Sequence, residues 1–124
     1  MPDYDSTRFT PPAPVALVTL RNPESGAMKS GVTMLLDTGA DITLLPQAIA
    51  DEIGLSYSES SYELIGFDDS LSIAHAVRAE MVFVGLTFRG QFLISGQEWG
   101  IIGRNILNAV SRTYNGPKLS WECS

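Results

Sequence analysis

The sequence lacks most of what metal, redox and nucleic-acid chemistry is built from. Of its 124 residues, one is cysteine and one is histidine. Cys123 has no second cysteine for an internal disulfide, and His75 has no partner for a His/Cys metal cluster. Lys and Arg number 8 against 14 acidic residues, a formal charge of −6. No basic cluster forms a stripe that tracks phosphate, which excludes a dedicated nucleic-acid binder. Long apolar runs are missing as well. None exceeds four residues, as in Met81-Val82-Phe83-Val84, broken by Gly85 before Leu86, far too short to span a bilayer. The first residues, Met1 to Asp5, are acidic and polar and do not read as a secretory signal. The expectation is a reduced, cytosolic protein without cofactor or metal, bound to neither nucleic acid nor membrane.

What is present suits a single globular domain. Hydrophobic residues make up 44% of the chain and charged residues 18%, an ordinary balance for a protein with a buried core. Residues 1–13 carry Pro2, Pro11 and Pro12 with little apolar periodicity and read as a tail or linker. Residues 14–124 form the domain. There, Val15–Leu20, Gly31–Leu36 and Ile42–Leu45 read as extended segments. Pro46 opens a short helix over Gln47–Ile53 that ends at Gly54. Tyr62–Ile65 and Leu71–Arg78 flank a tip at Gly66–Ser70. Glu80–Val84 and Thr87–Ile94 form a hairpin about Gly85-Leu86. Ile101–Gly103 is a short buried strand, and Arg104–Val110 reads as a second helix. A final hairpin covers Thr113 to Trp121. Many short strands with two short helices give an all-β class.

The chemistry concentrates at Asp37-Thr38-Gly39-Ala40, directly after the apolar strand Met34-Leu35-Leu36. A carboxylate at the end of a buried strand is costly unless it has partners. Gly39 lets the chain turn tightly and offer N–H groups to that carboxylate, and the Thr38 hydroxyl can brace the loop. Later comes Ile101-Ile102-Gly103-Arg104-Asn105, a strand, a glycine and a helix start.

In this order the two segments resemble the retropepsin-like, retroviral-type aspartic proteases. The first matches that family's apolar-apolar-Asp-Thr-Gly-Ala loop, and the second its apolar-apolar-Gly-Arg-Asn segment. The resemblance extends from about Pro14 to Trp121. It implies a small closed β-barrel with a flap hairpin, for which Tyr62–Arg78 with Gly66 at its tip is the candidate. It also implies an endopeptidase that hydrolyses extended polypeptides with two carboxylates sharing one proton, one as general base toward water and one as acid toward the scissile carbonyl. Only one Asp-Thr-Gly occurs here, so the resemblance implies a homodimer with Asp37 from each subunit at a two-fold axis.

The same resemblance assigns roles. Asp37, Thr38 and Gly39 are the catalytic loop, and Thr38 also bonds across the dimer axis. Ala40, Asp41, Ile42, Ile65, Gly66, Phe67 and Ile101 contact substrate, and Asp41 pairs with Arg104. Leu119 and Trp121 belong to terminal strands that interleave between subunits, although Trp121 equally suits the core of its own barrel. Ala40 stands where many two-lobed relatives carry serine. The missing hydroxyl bond weakens the hold on an ionised carboxylate, which points to activity at mildly acidic or neutral pH. The alternatives are a catalytically silent peptide-binding or dimerisation module of the same fold, or a precursor in which residues 1–13 block the cleft.

Overall fold

A computed structural model describes residues 3–65 and 71–123. Among these, the strands are β1 (Tyr4–Asp5), β2 (Ala13–Arg21), β3 (Met28–Leu36), β4 (Leu44–Pro46), β5 (Tyr57–Ile65), β6 (Leu71–Phe83), β7 (Leu86–Ser95), β8 (Gly100–Ile102), β9 (Arg112–Asn115) and β10 (Ser120–Cys123). The helices are α1 (Gln47–Glu52) and α2 (Arg104–Leu107). The class is all-β, as expected.

The strands β2, β3, β8, β4, β7 and β6 follow one another in a sheet that closes on itself, because Thr19, Leu20 and Arg21 of β2 pair back with Val82, Met81 and Glu80 of β6. Closure removes the open edges of the barrel strands. Alternation selects the interior. Ala16, Val18 and Leu20 of β2, Val32, Met34 and Leu36 of β3, and Val77, Ala79, Met81 and Phe83 of β6 are buried in one core. Two segments expected as separate strands, 71–78 and 80–84, merge into the single strand β6. It stays extended because it pairs with β5 at its start, with β7 along most of its length and with β2 at its end.

Two arrangements in the barrel position the site. β3 and β8 run parallel, with Met34, Leu35 and Leu36 opposite Gly100, Ile101 and Ile102. β4 inserts between β8 and β7, antiparallel to the first and parallel to the second. The crowding needs Gly100. A Cβ there would collide with the Met34 side chain and come within 2.6 Å of the Leu44 carbonyl oxygen.

β5 and β6 form the expected long hairpin, with Ser61 to Ile65 opposite His75 to Leu71. Its tip, including Gly66 and Phe67, lies outside the described residues. The base of the hairpin is tied to α1 by the Tyr57 hydroxyl, which donates to Asp51 Oδ1 at 2.6 Å. That bond raises the phenol's pKa above its ordinary range, because ionisation would set two anions against each other.

Residues 3–13, expected to trail as a linker, are held against the barrel. β1 pairs with β2 through Tyr4↔Pro14 and Asp5↔Ala13, and Tyr4 packs on the main core. Asp5 Oδ1 accepts the N–H groups of Thr7 and Arg8, both at 2.8 Å, and the Arg8 guanidinium reaches Asp5 Oδ2 at 2.8 Å. The Arg8 N–H, then its guanidinium, then the Thr7 N–H hold the Asp5 carboxyl below its ordinary pKa. Phe9 packs edge-on against Trp99, with ring centroids 5.0 Å apart. The proline content that suggested a linker is compatible with this strand-and-turn path.

Trp121 is likewise held within its own chain. It is 1% exposed, lies 6.3 Å from the Phe83 ring, and its indole N–H donates to the Val15 carbonyl at 2.8 Å. Trp121 therefore belongs to the core of its own chain, the second of the two readings open to it. Leu119 is exposed at the β9–β10 turn, with a positive φ of 50°.

Candidate active site

Asp37 follows β3 by one residue. Its N–H donates to the Ile102 carbonyl at 3.0 Å, extending the β3–β8 pairing and fixing where the carboxylate emerges. The Gly39 N–H donates to Asp37 Oδ1 at 2.9 Å, and a Cβ on Gly39 would stand 3.1 Å from that same oxygen. Any larger residue would crowd the carboxylate or push its N–H away. The Ala40 N–H closes the turn on the Asp37 carbonyl at 3.2 Å. The side chain of Asp37 is half-buried. Among the described residues, Gly39 is the only group that hydrogen-bonds its carboxylate.

The start of α2 fastens this loop from the other side. The Arg104 N–H donates to the Ala40 carbonyl at 2.8 Å, and Arg104 Nη1 donates to the Thr38 carbonyl at 2.6 Å. The expected Asp41–Arg104 ion pair does not form. Arg104 is anchored by its backbone beneath Ala40, and its guanidinium is used on the Thr38 carbonyl, while Asp41 stays exposed. Gly103 just before it permits the close approach, since a Cβ there would collide with the backbone of Ile42.

A residue not singled out in the sequence completes the joint. Thr43 is 0% exposed. Its hydroxyl accepts the Gly103 N–H at 3.1 Å and donates to Asn105 Oδ1 at 2.8 Å. The two motifs are thus linked through one buried hydroxyl, with both its donor and one acceptor position used. The available signal was a lone hydroxyl in the otherwise apolar run Ile42-Thr43-Leu44-Leu45.

The remaining expected substrate contacts are spread more widely. Ala40, Ile42 and Ile101 are half-buried near the loop. Ile42 packs against Ala76 and Leu93, and Ile101 pairs with Leu35 and Leu44. Ile65 ends β5, and Gly66 and Phe67 are not described. Thr38 is exposed and lines a cavity of about 370 Å³ with Tyr4, Pro14, Leu36 and Tyr114. A larger hollow, of about 780 Å³, is lined by residues of the 3–8 segment together with Val15, Leu17, Thr33 and Glu98, and Asp37 is not among them. No helix among the described residues is long and apolar enough to cross a membrane.

Comparison with known proteins agrees with this geometry. The sequence model of a family described as Aspartyl protease matches residues 26–105, which contain both motifs. No curated protein matches the sequence. Among solved structures, the EIAV protease complexed with the inhibitor HBY-793 is similar with a TM-score of 0.57, at 21% identity, over 78% of this chain and 86% of that one.

Proposed function

Since the chain belongs to the aspartyl protease family, with a retropepsin-like fold, we propose that it is an endopeptidase assembled from two identical subunits, each supplying Asp37. The observation that carries this reading is the single Asp-Thr-Gly loop, with its carboxylate at a strand end, one oxygen held by the Gly39 N–H and the loop fastened to Arg104. That half-site presents one carboxylate, and the reaction needs two.

In the proposed reaction, a polypeptide lies extended against the loop, and a water sits between the two carboxylates. The ionised Asp37 takes a proton from the water, whose oxygen attacks the scissile carbonyl carbon, while the protonated Asp37 of the other copy gives its proton to the carbonyl oxygen. Collapse of the tetrahedral intermediate breaks the C–N bond, and the amine leaves with a proton returned by a carboxyl group. Two carboxylates within hydrogen-bonding distance of one water do not both ionise readily, which leaves one proton on the pair. The Gly39 carbonyl, Ala40 and Asp41 meet the substrate backbone. Ile42, Ile65 and Ile101 favour apolar side chains beside the cut. The β5–β6 hairpin, with Gly66 and Phe67 at its tip, acts as the flap.

A mixed peptide library incubated with the purified chain and with Asp37→Asn tests the reading. Cleavage by the wild type alone, strongest at mildly acidic to neutral pH, is the expected result. Cleavage that survives Asp37→Asn refutes the assignment. Peptide binding without cleavage at any pH favours the silent module.

A further inference from the structure

The 780 Å³ hollow does not have Asp37 in its lining, and no step of the proposed reaction uses it. Of the residues that line it, only Thr33 and Glu98 fall within 26–105, the stretch that matches the aspartyl protease family. The others belong to the 3–8 segment and the start of β2.

Its floor is apolar. Ala16 and Val18 of β2 point into the core, at 5% and 2% exposure, so their neighbours Val15 and Leu17 face outward. Leu17 stands opposite Thr33 of β3. It is 69% exposed, the most of any large hydrophobic side chain among the described residues. One exposed leucine is ordinary on a protein surface. This one forms the floor of a concave site, where an apolar group can be desolvated from several sides.

The walls are charged and already held in place. On one side, Asp5 accepts the N–H groups of Thr7 and Arg8 and pairs with the Arg8 guanidinium. These bonds fix the turn over 5–8 and cancel one charge of each sign. On the other side, Glu98 precedes Trp99, whose ring packs edge-on against Phe9. That contact ties the Glu98 loop to the 3–9 segment. Asp3 and Glu98 are both exposed, and among the described residues neither forms an ion pair. An uncovered leucine and two uncompensated carboxylates thus share one preformed frame, so little ordering is needed for binding.

This combination selects its occupant by charge complementarity. An acidic segment or a nucleic acid is repelled by Asp3 and Glu98. A small apolar ligand would cover Leu17 and leave the two carboxylates without counter-charge. A polypeptide segment with an apolar side chain beside Lys or Arg satisfies both, and the hydroxyls of Ser6 and Thr7 on the wall can bond its backbone.

We propose that the hollow between residues 3–8 and the outer face of β2 and β3 docks a basic polypeptide segment, with an apolar side chain on Leu17 and Lys or Arg side chains on Asp3 and Glu98. This docking is separate from the cleavage reading and requires no second copy of the chain.

The test uses the full chain carrying Asp37→Asn, so that no bound peptide is cut. Fluorescence anisotropy follows a short labelled peptide in which Leu is flanked by Arg, beside a counterpart with Glu in place of each Arg. The expected result is binding of the first peptide only. Asp3→Asn combined with Glu98→Gln should weaken it about tenfold, Leu17→Ser to a similar degree, and about 0.5 M salt should weaken it as well. Glu24→Gln removes an exposed acid from the turn at the far end of β2 and should leave the affinity unchanged. Thermal melting confirms that each variant is folded. Equal weakening by Glu24→Gln would mean attraction to the acidic surface at large, and would overturn the site. Weakening by Asp41→Asn but by none of the hollow variants would place the peptide at the Asp37 loop and overturn it too. So would a basic peptide that fails to bind at about 1 mM. The cleavage reading stands or falls separately, on the comparison of wild type with Asp37→Asn.

Discussion

The junction around Asp37 and the two chain ends are both fastened to the barrel, but by different means. At the junction, Gly39, Gly103 and Arg104 belong to two short motifs and each meets a demand of the nearby backbone, while Thr43, outside both motifs, links them. At the ends, the hold is between distant stretches: Tyr4 on Leu119, Trp121 on Val15, Phe9 on Trp99. A backbone demand selects a residue type and leaves a motif. A pairing between remote segments selects only compatible surfaces and leaves little trace in either segment.

Substitutions at the two regions sharpen this contrast. The largest effect is expected at an end. Trp121→Ala opens a cavity beside Phe83 and leaves the Val15 carbonyl without its donor, at a cost of about 3–5 kcal/mol in chemical denaturation. If residues 120–123 were a frayed end, the loss would be negligible. Next comes Thr43→Val, which keeps the shape but removes the hydroxyl, leaving the Gly103 N–H unpaired in the interior. The expected cost is about 1–3 kcal/mol, and peptidase activity should fall with it. Thr43→Ser retains the hydroxyl and should recover most of both.

The smallest effect belongs to the other end. Asp5 is held below its ordinary pKa of 3.8 by the Arg8 N–H and its neighbours, so its carboxylate form favours the folded state. That contribution is present above pH 3.8 and fades as the pH falls through the ordinary value toward the lowered one. Melting curves should therefore show Asp5→Asn less stable than wild type at neutral pH, with the gap narrowing as the pH falls below 3.8. A gap independent of pH would mean that Asp5 acts through shape and not charge.

These contrasts explain how much could be read beforehand. The all-β class, the approximate strand positions, the helix opened by Pro46 and the Asp37 loop each follow from local rules about alternation, proline and glycine. The motif singles out Arg104 but not its partner. Choosing between Asp41 and the Thr38 carbonyl depends on the bond from its own N–H to Ala40, which only the assembled junction supplies. Thr43 escaped notice because its two partners lie sixty residues or more away. The 3–13 segment read as a linker because prolines are scored locally, whereas Tyr4 and Phe9 find their contacts across the fold. Local rules divide β6 at residue 79, although nothing there breaks a strand that has partners on both sides.

The account's central claim is that one catalytic centre is made from two Asp37 carboxylates. It is tested most directly by mixing wild-type chain with Asp37→Asn at fixed total concentration, allowing subunits to exchange, and measuring peptide cleavage against the wild-type fraction. A shared dyad predicts that activity follows the square of that fraction, so an equal mixture retains about a quarter of the wild-type rate. Activity that falls in direct proportion to the wild-type fraction would mean that each chain works alone, and would contradict the claim.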